Sequence, residues 1–292
     1  MKYLMLHDIR NISKDFFPKR YQFPYFYTDD QFTHLLNRFP PTSYDSVLID
    51  KYIYSFDDGL VDHLNVAKIL FEKNIKAIFF IPSAPVLERI MILSHKIQFI
   101  LASRNEDEVL DTLLKVINSN FELDENYLNK FRKSKWAKNI WSDEMIFITR
   151  ILREFKTSLE RNFLIDNLFK RFVSSDEKDF AANFYLSPEQ VQEISDMNHL
   201  IGGHGYKSND LLFCDESEIR SEIINSDIFI GRYNKELKYY AYANGGFNDY
   251  AISLLENLNF KMAFTTHLKN TEKSKHKNLF KTRIDPSKVN FK

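Results

Sequence analysis

Residues 52–59 read Tyr52-Ile53-Tyr54-Ser55-Phe56-Asp57-Asp58-Gly59. An apolar, β-branched and aromatic run has the composition of a strand, and here it ends in two adjacent carboxylates and a glycine. A carboxylate taken out of water without a partner costs several kcal/mol or more. Two acids at the mouth of a buried strand therefore need a cation, a proton or a catalytic task. Neighbouring side chains on a strand point to opposite faces, so Asp57 and Asp58 meet different surroundings and can do different work. The plainer alternative is a strand-to-helix turn in which one Asp caps the helix that follows. The stretch alone leaves both open.

Outward from it, similar short apolar runs recur. Strand candidates are Tyr3–Ile9, Tyr52–Phe56, Ala77–Pro82, Leu200–His204, Tyr239–Ala243, Met262–Thr266 and Phe280–Ile284. Between several of them lie helical patterns. Val61–Lys73 carries apolar residues at mixed i+3 and i+4 spacing. Ser187-Pro188-Glu189-Gln190 has the form of a capping box with proline in the first turn, opening a helix to about Met197. Thr28-Asp29-Asp30-Gln31 resembles it, and Glu218–Ile230 and Asp249–Leu258 are two more helices. Alternating strands and helices argue for a parallel α/β sheet or barrel. From about Val86 to Phe184 the rhythm breaks. Glu108–Ile117, Glu144–Phe155 and Leu159–Phe172 have helical periodicity, and the stretch reads as an all-helical insertion whose plain role is scaffold or lid packing.

The 292 residues suffice for one large domain or two small ones. With 44% hydrophobic residues, 27 Phe and 15 Tyr, a sizeable core is available and global disorder is excluded. Forty basic and 40 acidic residues balance, which gives no electrostatic footprint for nucleic acid or an anionic membrane. The single Cys214 excludes an intrachain disulfide and a cysteine-rich metal site. The N-terminal Met1–Asp8 stretch is too short for the roughly 7–15-residue core of a signal peptide, and no run reaches the roughly 18 apolar residues of a membrane span. A cytoplasmic location is the expectation.

Two further segments carry chemistry. Leu200-Ile201-Gly202-Gly203-His204-Gly205-Tyr206-Lys207-Ser208-Asn209-Asp210 is a strand ending in glycines and a histidine. The glycines permit tight turns and close approach of a ligand. His204 faces the same sheet edge as Asp58, although a lone histidine is more often a core residue. Tyr240-Ala241-Tyr242-Ala243-Asn244-Gly245-Gly246-Phe247-Asn248-Asp249 is a strand, a glycine turn and a helix start. Backbone N–H groups in such a turn can hold an oxyanion. The alternative is an ordinary loop with Asn248 or Asp249 as N-cap.

Together, Ser55-Phe56-Asp57-Asp58-Gly59, Ala77-Ile78-Phe79-Phe80-Ile81-Pro82, Ile201-Gly202-Gly203-His204-Gly205-Tyr206, Tyr240-Ala241-Tyr242 with Gly245-Gly246-Phe247-Asn248, and Phe260–Thr266 resemble, in order, the NodB-like polysaccharide deacetylases of carbohydrate esterase family 4. The long helical insert resembles the variant found among surface-polysaccharide biosynthesis proteins. The resemblance implies an α/β fold, a distorted (β/α) barrel of about seven strands, formed here by 1–85 and 185–292, with 86–184 as the helical insertion packed on or over it and available for protein contacts. It implies a site at the C-terminal strand ends and an acetylated sugar or glycan as substrate, losing an N- or O-linked acetyl group. It also implies a divalent metal, usually zinc. Carried over, Asp57 is the general base, Asp58 and His204 are metal ligands, and a backbone N–H near Tyr242, Asn244 and Gly245 holds the oxyanion. Leu4-Met5-Leu6-His7 resembles a strand that bears the general acid, which makes His7 the candidate acid; a structural histidine is the alternative. The arginine that the family uses to orient its base is absent from its usual place. Arg283, in Lys281-Thr282-Arg283-Ile284-Asp285, is the candidate replacement, unless it pairs with Asp285 at the surface.

The chain departs from the family at one ligand. The family has His-x-x-x-His, and the second histidine is Ser208 here. A neutral hydroxyl is a poor zinc ligand, and catalytic zinc usually keeps three protein ligands. Asn209, Asp210 or His267 could supply the third, or the barrel could be catalytically silent and serve as a carbohydrate-binding or scaffold protein.

Overall fold

The computed structural model describes residues 2–14, 16–17, 19–20, 26–46, 51–123, 126–132, 141–234, 236–266 and 276–288. His267 lies outside them. In chain order the elements are β1 (Lys2–Leu6), α1 (Asp29–Arg38), β2 (Tyr52–Asp57), α2 (His63–Glu72), β3 (Ile78–Ile81), α3 (Ser83–Glu88), α4 (Leu93–Ser103), α5 (Glu106–Asn120), α6 (Asn129–Arg132), α7 (Asp143–Glu154), α8 (Ser158–Phe172), α9 (Glu177–Phe184), α10 (Pro188–Asp196), β4 (Leu200–Gly203), α11 (Glu216–Ile230), β5 (Tyr239–Ala241), α12 (Asp249–Asn257), β6 (Met262–Thr265) and β7 (Lys281–Thr282). The chain divides into two compact units: residues 1–12, 23–90 and 181–292, and residues 13–22 and 91–180.

In the first unit all seven strands are parallel and pair in sequence order. A parallel bridge from Leu4 to Ile284, with Met5 N–H to the Ile284 carbonyl at 2.9 Å and Ile284 N–H to the Tyr3 carbonyl at 2.7 Å, joins the end of the chain back to β1. Seven parallel strands returning to the first define a distorted (β/α) barrel, as the alternation predicted.

Period-2 alternation sorts the side chains of each strand. Tyr3, Ile53, Ile78, Phe80, Leu200, Tyr239, Ala241 and Phe264 form one buried cluster lining the barrel interior. Their neighbours Leu4, Phe56, Phe79, Ile201 and Tyr240 join the outer cluster with helix residues such as Val66, Leu70, Val191, Ile223 and Leu255. Asp57 follows Phe56 and so turns to the interior face.

The local signals act as their chemistry dictates. Thr28 with Gln31 and Ser187 with Gln190 make reciprocal capping boxes, and Asn248 caps α12. The cap of α2 is Asp62, without a side-chain cap bond. The turn at 58–59 leads from strand to helix as in the plainer reading, but neither Asp57 nor Asp58 is the cap of that helix.

The second unit is helical. Its core is closed by apolar faces of α4, α5, α7 and α8, including Ile100, Leu113, Ile151, Leu164 and Leu168. Lys96 is buried there and meets Asp166 at 2.6 Å and Glu177 at 2.8 Å. Two carboxylates offset the desolvation of one ammonium, as burial of a charge requires. Among the described residues no helix is long and apolar enough to cross a membrane.

Candidate active site

Strand register builds the site. Leu6 pairs with Phe56, so His7 emerges beside Asp57. Asp57 pairs with Phe80 and Ile81 with Gly203, which brings His204 to the same end two strands away. The closing segment after β7 carries Arg283 into the interior, 226 residues from Asp57 in sequence.

Arg283 donates from its two terminal nitrogens to the two Asp57 oxygens, each at 2.6 Å, and from Nη1 to Ser55 Oγ at 3.1 Å. The Ser55 hydroxyl in turn donates to the Leu4 carbonyl at 2.6 Å. The guanidinium lies over Phe80 and Phe264, 5.2 and 5.9 Å from the ring centres. Asp57 is 2% exposed and Arg283 8%. A forked, planar contact of this kind fixes the carboxylate in orientation as well as in charge. Burial alone would raise the Asp57 carboxyl. The Arg283 guanidinium, with His204 and His7 nearby, outweighs that and holds it below the usual carboxylate range. The nearest His7 nitrogen, Nε2, stands 4.0 Å from Asp57 Oδ2.

Asp58 takes up a left-handed backbone, φ 77°, followed by Gly59 at φ 62°. Asp tolerates that region better than bulkier residues, and a Cβ at Gly59 would stand 2.8 Å from Ile81 Cγ2. The turn swings Asp58 towards His204, whose Nε2 is 3.4 Å from Asp58 Oδ1. On its other side His204 donates from Nδ1 to the Ala241 carbonyl at 2.8 Å, which fixes the ring. Burial pushes the His204 imidazole down, but the Asp57 and Asp58 carboxylates more than offset it and raise it above the ordinary histidine value. Thus the acids, His7, His204 and Arg283 lie together at one end of the barrel.

One histidine that the sequence did not single out supports His7. His63, fully buried at the start of α2 beside Phe56 and Phe79, donates from Nε2 to the His7 carbonyl at 2.8 Å. Burial lowers its pKa and keeps it neutral, against the opposing pull of that carbonyl. Its folded value lies below the roughly 6.5 of an unfolded histidine. Below about pH 6.5 the unfolded chain takes a proton that the folded chain refuses, so this contribution to stability is fully present above 6.5 and is lost as pH falls towards the lowered value. We expect His63→Leu to lose stability less steeply than the wild type between about pH 6.5 and 5. Denaturant midpoints along that pH series check this, and equal slopes would contradict it.

Among the described residues the donor set supplies two of the three protein ligands that a catalytic zinc usually keeps. Asp58 and His204 are suitable in kind, and the Nδ1–H to carbonyl bond is the outer-shell support that a ligating imidazole needs. Among the described residues, however, no group of three His, Cys, Asp or Glu side chains could hold an ion. Ser208 stands in a left-handed turn, φ 60°, within a loop folded about Glu222. Asp210 is drawn to the Gly246 turn, where an added Cβ would collide with its Oδ1.

The oxyanion expectation is corrected at two of its three residues. Tyr242 N–H donates to the Phe264 carbonyl at 2.9 Å, and its hydroxyl to the Leu279 carbonyl at 2.9 Å. Gly245 N–H returns to the Tyr242 carbonyl at 2.9 Å. Both groups are consumed by the fold. Asn244, φ 52°, sits in the first turn of the short helical turn 243–245, where N–H groups lack an intrahelical acceptor. It remains the candidate donor. The glycines of β4 are corrected as well. A Cβ at Gly202 would strike the Phe80 ring and one at Gly203 Ser226 Oγ, so the close approach there is by the protein's own core.

The model of the polysaccharide deacetylase family matches residues 149–263, well under half of the chain. That match covers part of a chain whose ordered motifs resemble the NodB-like polysaccharide deacetylases and whose seven-stranded parallel barrel carries acids and histidines at its strand ends. The family is one of hydrolases acting on amide or ester bonds. No curated protein matches the sequence. Similar solved structures include the Streptococcus pyogenes deacetylase PplD in complex with acetate (13% identity, 98% of this chain and 91% of that one, TM-score 0.48). Others are IcaB from Ammonifex degensii (15%, 97% and 90%, 0.49) and a de-N-acetylase from Aggregatibacter actinomycetemcomitans (14%, 99% and 96%, 0.49). Likeness at that level carries no argument about activity.

Proposed function

We propose that this chain is a deacetylase that removes an N- or O-linked acetyl group from a sugar or surface-polysaccharide intermediate. The observation that carries the reading is the buried Asp57–Arg283 fork with His7 Nε2 4.0 Å from the same carboxylate. A carboxylate has about four lone-pair positions, and Arg283 takes two. One that remains accepts a proton from a water whose oxygen attacks the acetyl carbonyl carbon. When the tetrahedral adduct collapses, the bond from carbon to the sugar nitrogen or oxygen breaks. His7 supplies the proton to the leaving atom, and acetate and the free amine or hydroxyl result. Arg283 keeps Asp57 ionised until it takes that proton, and Asp57 then releases the proton to solvent to complete the cycle. A divalent metal, zinc in the first instance, would be held by Asp58 and His204 and would supply carbonyl polarisation and a more acidic water. The helical unit is proposed as an insertion making contacts with other proteins.

A second reading, a silent barrel that binds carbohydrate without cleaving it, is favoured by one observation, the serine at 208. Acetate release from N-acetylated and O-acetylated sugar oligomers, with zinc supplied, separates the two. No acetate from either class of oligomer would overturn the deacetylase. Zinc titration of Ser208→His tests the ligand assignment. Histidine is among the residues that enter left-handed backbone, so we expect affinity to rise by more than about tenfold, the lower end of what outer-shell partners alone contribute. Unchanged affinity would mean that position 208 does not face the Asp58–His204 pair.

A further inference from the structure

Glu222 stands on the inward stripe of α11, among Ile219, Ile223, Ser226, Phe229 and Ile230, and is 2% exposed. A carboxylate there is costly unless it is satisfied, and the loop after His204 satisfies it. Oε2 accepts from Tyr206 N–H at 2.9 Å and Oε1 from Lys207 N–H at 3.0 Å. Oε1 also accepts from Asn209 Nδ2 at 3.0 Å, and a longer contact of 3.4 Å comes from Asn209 N–H to Oε2. Successive N–H groups converging on one anion form a backbone nest, here filled by the protein's own side chain.

The nest requires its glycine. Gly205 has φ 84°, and a Cβ on it would collide with Glu222 Oε2. The other side of the loop is held too. The Gly205 and Tyr206 carbonyls accept from Ser83 N–H at 3.1 Å and Ala84 N–H at 2.8 Å, in the first turn of α3. The backbone leaving His204 is therefore clamped through both its donors and its acceptors. Packing alone would be served by an apolar residue, since a buried charge seldom adds net stability.

We propose that Glu222 is a positioning residue: it fixes the 205–209 loop and, through it, the place of the His204 ring against Asp58. The proposal rests on the deacetylase reading for its catalytic consequence, while its physical content can be measured without it. Glu222→Gln puts an NH2 where N–H groups now find an oxygen. Hydrogen exchange at the Tyr206, Lys207 and Asn209 amides should speed up by about tenfold or more. Other barrel amides should be unchanged, and the His204 ring NMR signal should move. For acetate release from an acetylated sugar oligomer, kcat should fall by about tenfold with KM nearly constant, and Glu222→Asp, which keeps the charge, should recover part of it. Unaltered exchange at 206–209 with an unmoved His204 signal would overturn the proposal. So would faster exchange spread evenly over the barrel. If Glu222→Gln does not fold, Asn209→Ala removes one donor, and the same exchange and ring signals support or overturn the proposal in the same way. If the wild type releases no acetate, the deacetylase reading fails, and exchange and the ring signal still decide the role of Glu222.

Discussion

Asp57→Ala should release acetate about 10²–10⁴-fold more slowly than the wild type, the range for losing a general base, and should be less stable by roughly 3–5 kcal/mol. The second effect follows from what is left behind. Arg283 is buried over two aromatic rings, its Nε already lacks a hydrogen-bond partner, and its fork is aimed at the two Asp57 oxygens. Without them a cation remains in an apolar barrel with Ser55 as its polar neighbour. Urea unfolding beside a rate assay measures both. Undiminished acetate release by a folded Asp57→Ala would remove Asp57 from the chemistry. Unchanged stability would show that water reaches Arg283.

The double variant Asp57→Leu/Arg283→Met should regain most of that stability and no activity. Replacing both members of a buried pair by apolar residues of similar volume is often neutral or stabilising, by about 1–4 kcal/mol in favourable cases. Phe80, Phe264 and Ile53 offer the apolar surroundings. If the double variant is as unstable as Asp57→Ala, the pair is a structural element of the barrel and not a device kept for chemistry. Coupling between the two single variants and the double variant gives the interaction directly.

Most of the seven strands are legible in the sequence as short apolar runs that end at a turn-former or polar residue, such as Asp57-Asp58-Gly59 after β2 and Pro82 after β3, and β1 to β6 fall within a few residues of expectation. Asp57, Asp58, His204 and His7 are legible as residues at the ends of such runs. Arg283 becomes a partner for Asp57 only through the resemblance. Its contact depends on Ile284 closing against β1, which no local pattern encodes. The oxyanion turn escapes a sequence reading for a related reason. Whether a backbone N–H is free depends on its acceptor, and that of Tyr242 is the Phe264 carbonyl, on the next strand. Glu222 leaves one unused signal. Its spacing from Ile219, Ile223 and Ser226 places a charge on the buried side of α11, which marks a carboxylate in need of donors. For His63 the sequence offers no comparable mark.

The return of the chain to β1 has a consequence for synthesis. Asp57 is made early, but its partner Arg283 and the bridging Ile284 are among the last described residues. A nascent chain on the ribosome carries the acid without its counter-ion, so the Asp57–Arg283 pair forms only once the closing strand has emerged. Contacts of such long sequence separation also form late, because loop closure must precede their gain. Formation of the Asp57–Arg283 pair would thus report that translation and folding have passed the closing strand, and a chain cut short before Arg283 would hold Asp57 without that partner.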